Sequence, residues 1–169
     1  MLSSVHDFDL ALLILRTAFG VMMFAHGWNH FFGGGRLPGA GRWFESLGIR
    51  PGLFHAWTTA VVEVGAGTMF AFGFLTPLAA AGMIGIMTVA GIVVHRPNGF
   101  FIVKEGYEYA AVICLSTAAV ALMGPGRWSL DHALGINFRG AAGLITAVVL
   151  GVGSALGLLA VFWRPPVKS

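Results

Sequence analysis

From residue 140 to residue 163 the chain carries no Asp, Glu, Lys or Arg. A helix rises about 1.5 Å per residue, and roughly 20 mostly apolar residues cross the hydrocarbon core of a bilayer. This run is long enough, and it lacks the polar face that a helix on a water-soluble domain requires. Four further apolar runs precede it, at about residues 8–32, 55–75, 78–95 and 107–123. Each ends at a breaker: Gly33-Gly34-Gly35, Thr76-Pro77, Arg96-Pro97-Asn98-Gly99, Gly124-Pro125-Gly126 and, last, Arg164-Pro165-Pro166. In lipid every backbone polar group must be satisfied within the segment, which leaves helices or closed barrels. Runs of this length predict helices. The expected fold is an all-α integral membrane bundle of five spans, forming one transmembrane domain over residues 1–169.

Composition agrees. Charged residues are 10% of the chain and hydrophobic residues 57%, whereas a soluble domain has about a quarter of its residues charged. Glycines suit this setting because they let helix backbones approach closely, and packing drives helix association in lipid. The stretch between the first two runs is more polar. Its residues 41–49 fit a short interfacial helix, with Trp43 and Phe44 at headgroup level. Residues 1–10 contain no Lys or Arg and carry Asp7 and Asp9, unlike a cleavable signal.

Several functions are excluded or disfavoured. The arginines are scattered singly, without a basic stripe or an aromatic platform, so nucleic acid is not an expected partner. Cys114 is the only cysteine, and it forms neither a disulfide within the chain nor a CxxC pair. It reads as a small packing residue. The turn from Gly124 to Asp131 lacks the Lys-Ser/Thr ending of a phosphate loop, and Ser129 or Asp131 is suited to capping a turn.

With five spans, one side carries Arg36, Arg42, Arg50, Arg96, Lys104, Arg164 and Lys168, and the other Arg127 and Arg139. The positive-inside rule places the first set in the cytoplasm, with the N-terminus outside and the C-terminus inside. The expected location is the bacterial inner membrane.

Ionisable groups within spans are costly and need a partner or a role. Arg16 is expected roughly 10 Å below the outer face and Glu63 roughly 12 Å from the inner face, leaving about 8 Å between their backbones. A buried Arg16–Glu63 ion pair is the simplest expectation, with proton handling or ligand contact by Glu63 as the other reading. His26 and His30 are four residues apart and share a helix face. That spacing suits two ligands to one metal, or a haem ligand with a hydrogen-bonding neighbour, although HExxH and CxxCH are both absent. His26, His30, His55 and His95 all fall near the inner ends of their helices. Glu105, Tyr107 and Glu108 begin the fourth helix at that level. Asn29 and Tyr109 add hydrogen-bonding capacity. This layer reads either as a wet interface that ends the spans or as a site for a quinone headgroup, a haem edge or a metal. Gly20 and Gly27 share a face with Arg16 and His30, while Gly65 and Gly67 follow Glu63. They predict close contact between the first two spans.

The ordered succession of motifs is distinctive. It runs from Arg16 through Ala25-His26-Gly27 to Glu63-Val64-Gly65-Ala66-Gly67 and Gly73-Phe74-Leu75-Thr76-Pro77. It continues through His95, Asn98-Gly99-Phe100-Phe101 and Gly106-Tyr107-Glu108-Tyr109 to Gly124-Pro125-Gly126-Arg127-Trp128-Ser129-Leu130-Asp131. This succession, over residues 10–131, resembles the DoxX family of small bacterial membrane proteins, related to DoxD. The resemblance implies a four-helix inner-membrane core, to which the run at 140–163 adds a fifth helix. DoxD-type relatives belong to a thiosulfate:quinone oxidoreductase, and other relatives accompany membrane-linked thiol and oxidative-stress complexes. The implied role is a membrane subunit of a redox or respiratory assembly, non-catalytic or bordering a quinone. The matching Arg16, His26, Glu63 and Glu108 are its candidate residues. Protein partners, and a second copy of the chain, are the expected company. A structural or anchoring protein is the alternative. A small transporter is third, since the sequence has no paired half-repeats or broken-helix pair.

Overall fold

The computed structural model describes residues 2–165. Lys168, counted above for orientation, and Pro166, part of the final breaker, lie outside that range. The chain is an all-α membrane bundle. Helix α1 covers Leu2–Phe32, α2 Arg36–Ser46, α3 Gly52–Phe72 and α4 Thr76–Ala90. A π turn, Gly91–His95, and a 3-10 turn, Arg96–Asn98, prolong α4. Then come α5 at Glu108–Met123, a single turn α6 at Leu130–Ala133, and α7 at Gly140–Phe162.

Among the described residues, three stretches are long and apolar enough to cross a membrane: Val5–Phe32, Thr76–Asn98 and Gly140–Phe162. Helix α5 is equally apolar but has 16 residues, about 24 Å at 1.5 Å per residue. Helix α3 is long enough, at 21 residues, but His55, Glu63 and its threonines and glycines dilute its apolar character. Large apolar side chains such as Ile14, Val21, Leu115 and Val149 cover the outside of the bundle. In water they would be an aggregation surface; here they meet lipid.

Helix α4 is the hub, packing on α3, α5 and α7, while α1 packs mainly on α3. Small residues set these distances. A Cβ on Gly20 would lie 2.6 Å from the Gly67 carbonyl oxygen, and one on Gly151 would lie 2.8 Å from that of Ala81. Either methyl would force its helix pair apart. The main core gathers Leu12, Met23, Phe70, Met83, Val120 and Ala147. A second cluster at the α2 end holds Phe44, Ile49, Ala56, Val93 and Leu159.

The expected Arg16–Glu63 pair is not formed. Arg16 is fully buried. Its Nη1 donates to the Ala71 carbonyl at 3.0 Å and its Nη2 to the Trp128 carbonyl at 2.7 Å. The Ala71 carbonyl at the end of α3 and the Trp128 carbonyl between Met123 and Leu130 have no helical partners of their own. They meet the guanidinium from the side away from Glu63. Asp131 stabilises the same end. Its Oδ1 accepts from the Leu75 amide at 2.7 Å, and its Oδ2 from the Thr76 amide and hydroxyl at 3.0 and 2.7 Å. Those bonds hold Leu75 in the left-handed region, at φ +46°, and start α4 with Pro77 in its first turn. Ser129 caps α6, its hydroxyl accepting from the His132 amide at 3.2 Å. Arg127 binds Asp9 through Nε at 3.0 Å.

Candidate functional site

At the other end, α1, α3, α4 with its π turn, α5 and α7 leave a cavity of about 260 Å³. Its walls hold His26 and His30 from α1, His55, Thr59 and Glu63 from α3, His95 from the π turn and Tyr109 from α5. Trp43, Phe44, Leu47 and Ile49, from α2 and the turn after it, line its end. Met87, Val93 and Leu158 complete an apolar lining.

Each polar group arrives for a local reason. His26 and His30, one turn apart on α1, present the same face. Gly27 lies between them, and a Cβ there would fall 2.8 Å from the Glu63 Cβ. Its missing side chain lets α3 press Glu63 against α1. Glu63 is buried, with its Oε2 3.4 Å from His30 Nε2. That separation is within ion-pair range, yet no hydrogen bond reaches Oε2. A buried carboxyl oxygen without a donor is costly, and this one lies in the cavity wall.

His55 occupies the first turn of α3 and is 2% exposed. Its ring meets the edges of Phe54 and Phe162, at centroid distances of 5.2 and 4.8 Å, and its Nε2 has no partner. His95 is set by the π turn, a device that rotates the residues it carries relative to an α-helix. Its Nδ1 is 2.7 Å from the Glu105 carbonyl oxygen. A carbonyl only accepts, so Nδ1 carries the hydrogen, and Nε2 remains for the cavity. The carbonyl is aimed by Glu105 in a left-handed conformation, φ +59°, and it also accepts from Asn98 Nδ2 at 3.3 Å. The Tyr109 ring stands edge-on to His95, with centroids 5.6 Å apart.

Six residues that the sequence assigned to this layer therefore share the cavity: His26, His30, His55, Glu63, His95 and Tyr109. The others do not. Arg16 belongs to the opposite end. The Glu108 carboxylate accepts from the Ile102 amide at 2.8 Å; as the first residue of α5 it turns back onto its own loop. Glu105 contributes a carbonyl rather than its carboxylate. Tyr107 and Asn29 line separate surface grooves. Tyr109, two residues past Tyr107, takes the inward position because two residues turn a helix by about 200°. Among the described residues, no group of three or more His, Cys, Asp or Glu is placed to hold a metal ion. His26 and His30 therefore gain no third protein ligand from those types.

The site suits a small, flat, partly polar molecule. Its volume falls just below the roughly 300–1,000 Å³ of pockets for drug-sized ligands. Its ring nitrogens can donate to or accept from a ligand, Glu63 Oε2 can accept, and the remaining wall is apolar.

Comparison with known proteins adds context. An "Uncharacterized membrane protein Rv3486" of Mycobacterium tuberculosis is 33% identical, in an alignment covering 73% of this chain and 81% of that protein. A Bacillus subtilis protein named "Putative oxidoreductase CatD" is 27% identical, covering 74% of this chain and 87% of that protein. No solved structure matches the chain significantly. The DoxX family model matches residues 11–96, a span that includes Arg16, His26, His30, His55, Glu63 and His95. The chain is a membrane protein of the DoxX family.

Proposed function

We propose that this chain is the membrane subunit of a quinone-linked redox assembly and that its histidine-lined cavity receives a quinone headgroup. The observation that carries this reading is one apolar cavity whose wall holds four histidines and a buried carboxyl oxygen with no hydrogen-bond donor. A quinone carbonyl needs a donor, which the His26 or His30 ring can provide. A quinol hydroxyl needs an acceptor, which Glu63 Oε2 provides. Reduction of a quinone takes two electrons and two protons. In this reading a partner oxidoreductase exchanges the two electrons. Glu63, with His30 beside it, exchanges one proton at one quinone oxygen, and the exposed His26, passing between imidazolium and imidazole, exchanges the second at the other oxygen. The name of the Bacillus subtilis relative supports a redox setting. We further read the chain as one domain of five spans in the bacterial inner membrane, with the cavity toward the cytoplasm, as the distribution of Lys and Arg supports.

Equilibrium binding in lipid nanodiscs tests the reading. Protein-loaded discs should take up decylubiquinone saturably beyond empty discs. Glu63→Gln and His30→Ala should weaken that uptake about tenfold, the effect of losing roughly 1.4 kcal/mol of hydrogen bonding. Glu108→Gln should leave it unchanged, since Glu108 lies outside the cavity. Wild-type uptake equal to that of empty discs would reject the proposal and favour an anchoring or assembly role.

A further inference from the structure

The cavity does not end at its polar wall. Helices α3 and α7 both pack on α4 but scarcely touch each other. The gap between them is a groove of about 390 Å³. Its floor is α4, where Gly82 and Gly85 add no side chain, and its sides include Val62 of α3 with Leu150 and Ser154 of α7. Thr59, Ile86, Val89 and Leu158 border both the groove and the cavity. The two spaces therefore adjoin through the side of the bundle. Val62, Leu150 and Ser154 are exposed, so the groove opens where the helices face lipid.

At the α2 end, by contrast, the cavity is bounded by a hydrogen-bonded tie. The Trp163 indole donates to the Leu47 carbonyl at 3.0 Å. The Arg50 amide donates to the Phe162 carbonyl at 3.1 Å, and the Arg164 amide to that of Gly48 at 2.8 Å. These bonds tie the end of α7 to the turn that follows α2. A ligand approaching Glu63 past the end of α7 meets this tie, whereas one arriving from the bilayer meets the apolar groove that shares its wall with the cavity. The cavity also has room for a ring and little more.

We infer that the ligand is a membrane-resident amphiphile, a long-chain quinone, whose head occupies the cavity and whose apolar chain lies in the α3–α4–α7 groove, entering sideways from the lipid. This inference rests on the quinone reading above. The chain gains little hydrophobic energy, because it exchanges lipid for an equally apolar groove. The groove therefore acts through space and access, not through added affinity.

That distinction sets the test. Ser154→Trp and, on the facing wall, Val62→Phe fill the groove and leave the cavity lining intact. Binding of decylubiquinone and of duroquinone, which has no chain, is measured in nanodiscs, with each quinone dosed as a mole fraction of lipid. Wild-type protein should bind both. Each variant should lose affinity for decylubiquinone by about tenfold or more and keep its affinity for duroquinone, which also shows that it is folded. Equal behaviour toward the two quinones in both variants would overturn the groove assignment alone. Wild-type protein that binds neither would overturn the headgroup reading, and the groove assignment with it.

Discussion

Arg16 and Glu63 are both buried charged residues, and the structure gives them opposite tasks. Arg16 ties the middle of α1 to the Ala71 and Trp128 carbonyls. Arg16→Ala would leave both acceptors unpaired and open a void. We expect a loss of about 2–5 kcal/mol, seen as an earlier unfolding transition in detergent. Arg16→Lys should recover only part, because an ammonium on a flexible stem does not reproduce the fork of the guanidinium. Glu63→Gln should change stability by less than about 1 kcal/mol, since it keeps the shape of the side chain and removes a carboxyl whose Oε2 has no donor. If Glu63→Gln unfolds the protein as readily as Arg16→Ala, Glu63 is structural. The sequence set both residues within helices, and both are buried in the bundle. What failed was the register: α3 sets Glu63 level with Gly27 and Ala71 level with Arg16, which puts roughly 16 Å of helix between the two charges instead of the expected ~8 Å. Free carbonyls beside a helix end leave no mark in a sequence either. Glu108 and Tyr109 show a further limit: adjacent on one helix, they differ by about 100° of rotation. One caps a loop and the other lines the cavity.

Among the elements, the apolar runs located the helices because burial in lipid leaves the backbone few alternatives. Helix α1 begins at Leu2, ahead of the expected residue 8, since a helix can continue into water past the hydrocarbon edge. The π turn at Gly91–His95 could not be foreseen, as no residue pattern there demands it. Nor did the sequence reveal that α7 supplies Leu158 to the cavity, because a uniformly apolar run does not mark which of its residues face inward. The tie between α7 and the turn after α2 has a measurable consequence. Trp163→Ala removes the indole bond to Leu47 and the packing of Trp163 on the second core. The expected local loss is about 1–2 kcal/mol, so exchange of the Arg50 amide should speed up roughly 5- to 30-fold. The global unfolding midpoint should move far less. Unchanged exchange at Arg50 would mean that Trp163 does not hold this tie together.

For the whole molecule, the two ends of the bundle have different characters. One is an interlocked cluster of Asp9, Arg16, Arg127 and Asp131; the other holds the cavity. The expected orientation puts the cavity at the cytoplasmic face. A C-terminal alkaline phosphatase fusion should then be inactive and a C-terminal green fluorescent protein fusion should fluoresce. The opposite pair of results would reverse the bundle and place the cavity outside.

The long reach of Arg16 also bears on how the protein is made. Its Nη2 acceptor, the Trp128 carbonyl, lies 112 residues further along the chain. At about 5–20 residues per second, a ribosome needs roughly 6–22 s to produce it. Throughout that interval the first helix holds a guanidinium in or beside the bilayer with half of its final coordination still unsynthesised. Water, lipid headgroups or the insertion machinery must hold that charge until the loop after α5 emerges. A nascent chain arrested before Gly124 should therefore engage the insertion machinery longer than one that has passed Asp131.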